Sequence, residues 1–455
     1  MSSVSGISLD RRSIVCAGLL AGLLIFQGLA VSISLLWALP AMCVLFVLIA
    51  PDLPVVPMLA VALIVRALTD SLAESASRSS GSLNLSALIA VVLILVAVGM
   101  LLRYRKGTLV VAAVTTWVGI WTILTIHTTG FSILAVREGV RELSILAVGV
   151  IAFNAPRQLS FSTAVRIVQL AGIGGAIVAI FQLLTHSGTD VGGHMRSTGL
   201  FAHPNDAAVY FAIAATASLW QAVISKGKRL DVYLTLLFCL ATLTTFSLTG
   251  FLTLLVMVAT YAIFQFHSAR LKYGALSFIL GLSVLFIVTP VGSERISSEA
   301  SAELGAGQVR GSTSGNSLSW RLHKWDSLIE EWKHEPIFGQ GLGTTIIGAS
   351  SPTTSTESNL PHSEYFRYLV ESGVAGVALL LTGLWALFRA LKRRRSRLQP
   401  SAVLATSILA GLLVNALTAN TLLYTPAAYS AALLIGAALA DRLPSKTSWQ
   451  PSFSH

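Results

Sequence analysis

The chain of 455 residues is 54% hydrophobic, holds only 11% charged residues and carries a formal net charge of +11. So few charges exclude an ordinary soluble surface, which needs roughly 25–35% charged side chains. The apolar residues fall instead in blocks of about 15–23, the length at which a helix crosses a bilayer core. Water is absent there, so each block must close its own backbone hydrogen bonds as a helix. The blocks show no period-two alternation of the kind a membrane β-barrel requires.

The first apolar block follows Arg11-Arg12 and has the outline of a signal peptide. It leads straight into a second block with no convincing cleavage site, so a retained span is expected. In chain order, spans are expected at 13–31, 33–50, 54–69, 87–102, 108–127, 133–153, 166–185, 206–224, 231–247, 250–267, 273–291, 367–390, 401–418 and 424–440. With both termini cytoplasmic, the basic clusters Arg11-Arg12, Arg103/Arg105/Lys106, Lys226/Lys228/Arg229, Arg270/Lys272 and Lys392 to Arg395 with Arg397 all fall in cytoplasmic connectors. The positive charge thus serves topology and not nucleic acid, the other partner such a charge suggests. Loss of one span would invert everything after it, whereas loss of a pair would not, so 12–14 spans satisfy the pattern. Cys16, Cys43 and Cys239 lie inside apolar blocks at no metal spacing, which reads as packing. The expected fold is an all-α polytopic membrane protein of about 12–14 transmembrane helices, embedded in the lipid bilayer. It divides into an N-terminal bundle (1–290), one long extracytoplasmic loop (291–366), and C-terminal helices with a short cytoplasmic tail (367–455).

The outward segments are unequal. Residues 70–86 are Ser-rich and read as a plain connector, whereas 186–205 hold His186, Asp190, His194, Arg196, His203 and Asn205. In the long loop, Gly292 to Ser319 is rich in Ser, Gly and Ala and is expected to be mobile. Beyond it Trp325, Leu328, Ile329 and Trp332 fall at i, i+3, i+4 and i+7, one apolar stripe of a helix suited to the membrane–water interface. Pro336 ends that helix, and Gly339, Gly341 and Gly343 read as a flexible turn.

Three clusters hold candidate chemistry. The sixth span contains Arg137, Glu138, Arg141 and Glu142, roughly 6–14 Å in from its outer end at about 1.5 Å per residue. Either Glu138 and Arg141 neutralise each other, or Arg137 and Arg141, on one face, bind an anion. The second runs from Arg196 to Asn205, where Pro204 suits a helix start and a capping turn explains Asn205. It leaves Arg196 unexplained, and His203 reads as a surface histidine. The third joins the long loop to the twelfth span. There His362 can act as a general base, with Glu364 or Glu371 orienting it.

These pieces together resemble the O-antigen ligase/polymerase family of membrane glycan ligases and polysaccharide polymerases. The resemblance rests on Arg196, Gly199, Pro204 and Asn205; on Arg321-x-x-x-Trp325; on Pro336-Ile-Phe-Gly339-x-Gly341-x-Gly343; and on His362-x-x-Tyr365-x-x-x-Leu369-x-Glu371-x-Gly373-x-x-Gly376. It covers 196–376 well, while the first half matches only as generic spans. One departure is that relatives often carry a Ser-Arg pair in the hairpin where this chain reads Phe246-Ser-Leu-Thr-Gly250. If that arginine binds the donor diphosphate, Arg137 or Arg141 is its candidate replacement.

The resemblance implies a GT-C-like fold and a polyprenyl-diphosphate-linked glycan donor. It further implies transfer, with inversion, to a hydroxyl of a glycan or lipid-anchored acceptor outside a bacterial inner membrane. It implies no cofactor, and the chain has no Asp-x-Asp pair to suggest a metal. Other polysaccharide-assembly proteins are natural partners. In this reading His362 and Arg321 are catalytic, and Arg196, Arg137, Arg141, Asn205, Glu371 and Glu364 are candidates for holding the diphosphate or glycan. Two further readings are a transporter or flippase of lipid-linked oligosaccharides and a non-catalytic assembly partner.

Overall fold

The computed structural model describes residues 47, 52–71, 85–104, 108–129, 133–191, 194–266, 268–300, 317–349, 360–396 and 399–441. The expected spans at 13–31 and 33–50 (Val47 apart), Cys16, Cys43 and the Ser-rich 72–84 stretch lie outside these residues. From residue 54 onward a helix lies over every expected span. These are α1 (Val55–Leu68), α2 (Leu85–Tyr104), α3 (Thr108–Thr129), α4 (Ile133–Asn154), α5 (Phe161–Thr185), α6 (Pro204–Ile224), α7 (Arg229–Thr244), α8 (Leu248–Gln265) and α9 (Ala269–Val288). After α10 (Pro290–Ala300), α11 (Ser317–His334) and α12 (Thr344–Ala349) come α13 (Glu364–Arg395), α14 (Pro400–Asn415) and α15 (Thr425–Ala440). Among the described residues, α2, α5, α6, α8 and α13 are long and apolar enough to cross a bilayer. The structure is thus mostly helical and consistent with a polytopic membrane protein.

The helices begin where the sequence caps them. Ser160 accepts from Thr163 N at 3.1 Å, Ser247 accepts from Gly250 N at 3.1 Å, and α6, α14 and α15 each have proline in the first turn. Helix α6 is buried along nearly its whole length. Its alanines (207, 208, 212, 214, 215 and 217) let α5, α7 and α8 approach closely. Polar ties cross this core: Tyr210 donates to Val168 O at 2.8 Å, and Gln169 Nε2 donates to Ser218 Oγ at 3.0 Å. At one end of the bundle Arg103 pairs with Asp52 at 2.8 Å and Arg394 donates to Asp441 O at 2.7 Å. The opposite end carries the connection from α5 to α6 and the approach to α13, with Arg196 and His362.

At that end the structure departs from the sequence reading. A short antiparallel hairpin, β1 (Thr189–Val191) with β2 (His194–Arg196), pairs Thr189 with Arg196. Its strands are too short to leave an alternation pattern in the sequence. Residues 292–300, expected as part of a mobile stretch, belong to α10, and 317–319 belong to α11. The first turn of α10 is closed by Thr289, whose Oγ1 accepts from Gly292 N at 3.1 Å and whose carbonyl accepts from Ser293 N at 2.9 Å. The remaining stretch, 301–316, lies outside the described residues.

The glycine segment is not a loose turn. It threads between α3 and α13. Trp121 Nε1 donates to Phe338 O (2.7 Å), Leu342 N to Trp121 O (3.1 Å), and Thr125 Oγ1 to Leu342 O (2.7 Å). On the other side it fills a break in α13, where Gly373 has φ 61° and ψ −169°. Gln340 N donates to Val370 O and Gly341 N to Glu371 O, both at 2.9 Å. Val374 N donates to Pro336 O and Ala375 N to Ile337 O, both at 3.0 Å. The helix groups orphaned by the break are thus satisfied by the segment. Gly341 has φ 110°, and a Cβ there would lie 2.5 Å from Thr125 N. Gly341→Ala should therefore destabilise the protein by about 2–4 kcal/mol, read as a lower thermal midpoint in detergent.

Candidate functional site

Three chain segments converge at the loop-bearing end. The first is the entry to α6. His203 caps that helix, its Nδ1 accepting from Asn205 N at 3.1 Å. The capping turn expected here is made by His203, two residues earlier, and the Asn205 side chain turns to other work. Its Oδ1 accepts from Arg196 Nη2 at 2.9 Å and from Ser247 Oγ at 2.7 Å, and its side chain also hydrogen-bonds Tyr424. Arg196 Nε donates to Thr245 O at 2.9 Å, and the residue is only 3% exposed. These bonds knit the hairpin to α6 and to the turn between α7 and α8. Arg196 and Asn205, expected to hold substrate, are thus engaged with the protein's own polar groups.

The second element is a buried cage around Arg367, on the first turn of α13. Arg367 pairs with Glu142 of α4, with Glu364 at 3.3 Å and with Glu371 at 3.5 Å. Tyr368 donates to Glu142 Oε1 at 2.8 Å, Leu422 N to Glu364 Oε2 at 3.2 Å, and Thr345 Oγ1 to Glu371 Oε1 at 2.5 Å. The guanidinium also lies 4.9 Å over the Tyr368 ring. Glu364 and Glu371, expected to orient His362 or hold substrate, both turn to Arg367. Nearby in α4, Arg141 pairs with Glu138, as the self-neutralising reading expects. Arg137 is exposed and lies within electrostatic reach of Arg66, which pairs with Asp70 at 2.6 Å.

The third element places Arg321 within electrostatic reach of His362. The periodicity of α11 places Arg321 one turn before Trp325, on the same side of the helix. Trp325 Nε1 donates to Pro361 O at 3.0 Å, and its ring stacks on Phe366 with centroids 5.0 Å apart. This tryptophan therefore docks α11 on the start of α13 instead of facing lipid. His362 follows Pro361 with φ 48°, and the next turn is pinned by Glu364 N donating to Ala416 O at 2.9 Å.

Burial, and then the Arg321 charge, push the His362 imidazole down to about 4. Burial, then Arg196, His362 and Arg321, push His203 down to about 3. No local pattern in the chain groups His203 with the other two. Both rings are therefore neutral at neutral pH, the form a general base needs.

The sign of the linkage follows from His362. Between its ordinary 6.5 and about 4, the unfolded chain holds a proton that the folded chain lacks. This group's contribution to stability is present above 6.5 and is lost as pH falls through that window. In a reaction that uses neutral His362, the acid limb of the pH–rate profile should lie near 4. A limb near 6.5 would show an unperturbed imidazole.

The arrangement can do two things chemically. Arg321 offers a forked cationic donor to an oxyanion, and His362 offers a neutral base beside it. Among curated proteins no match to the chain is found. Residues 232–381, which carry Arg321, His362 and the Arg367 cage apart from Glu142 and Leu422, match the family model described as O-antigen ligase.

Proposed function

We propose that this protein is a membrane glycosyltransferase of the O-antigen ligase/polymerase type. It moves a glycan from a polyprenyl-diphosphate carrier to an acceptor hydroxyl at the outer face of a bacterial cytoplasmic membrane, both termini being cytoplasmic. The single observation that carries this reading is that Arg321 lies within electrostatic reach of His362 at the end of the bundle opposite Arg103 and Arg394. The family match over that region supports it. In the reaction, the acceptor oxygen attacks the anomeric carbon as its proton passes to the His362 imidazole. The bond from that carbon to the diphosphate oxygen breaks, and the polyprenyl diphosphate leaves with the electron pair. Attack opposite the leaving group inverts the anomeric centre. Arg321 stabilises the charge that grows on the leaving oxygen, without a metal.

One observation favours the transporter reading. Helix α13 is interrupted at Gly373 beside the buried Arg367, and broken helices with buried charges are common in transporters. The break here is closed by the glycine segment, whereas a transport site leaves such groups open to its cargo. Purified protein in liposomes, given a polyprenyl-diphosphate-linked glycan and an acceptor, is expected to release polyprenyl diphosphate and extend the acceptor. A deletion strain separates the alternatives. Single-repeat products indicate a polymerase, long chains stranded on the carrier a ligase, and precursor trapped on the cytoplasmic side overturns the enzyme reading in favour of a transporter.

A further inference from the structure

His203 has no part in the transfer step assigned to Arg321 and His362, yet its setting is built from several sides. Ala202 N donates to Asp70 Oδ2 at 3.0 Å, and Asp70 is itself held by Arg66. Phe201 is buried, and Asn205 beyond the proline is fixed by Arg196 and Ser247. The ring cannot turn freely, because Nδ1 accepts the Asn205 N–H at 3.1 Å. A neutral imidazole that accepts at Nδ1 carries its proton on Nε2. The residue is half-buried, and its ring lies within electrostatic reach of Arg321 and His362. Three facts therefore coincide: a fixed tautomer, a donor atom that the cap does not use, and a location within electrostatic reach of the two residues assigned to the reaction. A neutral donor among cations suits an anionic oxygen, because it adds a directed hydrogen bond without adding repulsion to Arg321.

We propose that His203 is a substrate-binding residue whose Nε2–H donates to a phosphate oxygen of the donor's diphosphate, an inference that rests on the glycan-transfer reading. The capping bond thereby sets the specificity of the site, since it decides which ring nitrogen faces the ligand.

The test separates capping from binding. His203→Asn keeps a cap through its shorter side chain but ends short of the Nε2 position. Wild-type and variant full-length proteins in nanodiscs are titrated calorimetrically with farnesyl diphosphate, and donor KM and kcat are measured with the glycan-bearing carrier. The variant is expected to keep its thermal midpoint, to bind farnesyl diphosphate about tenfold more weakly, and to show about a tenfold higher donor KM with kcat within about twofold. His203→Ser, a second cap without reach, should behave in the same way and serves if the asparagine variant does not fold. Wild-type affinity in the variants, or no saturable binding by the wild-type protein, overturns the proposal. A binding difference in a wild-type protein that transfers no glycan would leave the His203 site standing and remove the glycan-transfer reading instead.

Discussion

Replacing Arg367 by methionine should destabilise the protein by about 3–5 kcal/mol, the cost of stripping a buried ion pair of one partner. Methionine roughly preserves the volume, so the loss is electrostatic. Glu142, Glu364 and Glu371 would remain in a buried site without the guanidinium that all three contact. Lysine should recover only a fraction, because one ammonium cannot present the fork that reaches three carboxylates. The double variant Arg367→Met, Glu142→Gln should be less damaged than the two single effects summed, since removing both partners takes away the uncompensated charge. Thermal midpoints in detergent decide this. Strict additivity would mean that the contact between Arg367 and Glu142 contributes little.

His362→Ala should lower kcat for glycan transfer by roughly 10²–10⁴-fold, the range in which a positioned general base operates, while the protein inserts and unfolds as the wild type does. The expectation of a normal fold comes from the local bonds. The first turn of α13 is held by Glu364 N and by the Arg367 cage, and Trp325 reaches the Pro361 carbonyl, so none of these ties uses the imidazole. Arg321→Ala should fall in a similar range through loss of charge stabilisation on the leaving oxygen. Full activity of His362→Ala in the reconstituted assay would remove the general-base role.

Much of the fold is legible in the sequence because burial in lipid writes itself as long apolar blocks. From residue 54 onward each block is a helix, and the spacing of Trp325, Leu328, Ile329 and Trp332 announces α11. Arg321 and His362 stand out in the sequence too, since the one lies within and the other just before a helix with a readable pattern. Arg367, in the same stretch, does not. Its partner Glu142 lies 225 positions away, and local spacing says nothing about a contact of that separation. His203 is hidden for a related reason, because only the fold places it beside residues from α11 and the approach to α13. The glycines suggest looseness, whereas their positive φ and lack of side chains serve close backbone packing against α3 and α13.

The long reach of the Arg367 cage also sets an order of events during synthesis. Helix α4 emerges with Arg137, Glu138, Arg141 and Glu142, and a charge at a helix centre opposes insertion by roughly 2.5–3.5 kcal/mol. Arg141 and Glu138 can settle each other at once, but Glu142 must wait for an arginine made 225 residues later. Until then the nascent chain holds a carboxylate without its arginine. Chains stopped after α9 lack that partner and should therefore insert α4 less completely than the full chain does, as glycosylation mapping of the helix can read.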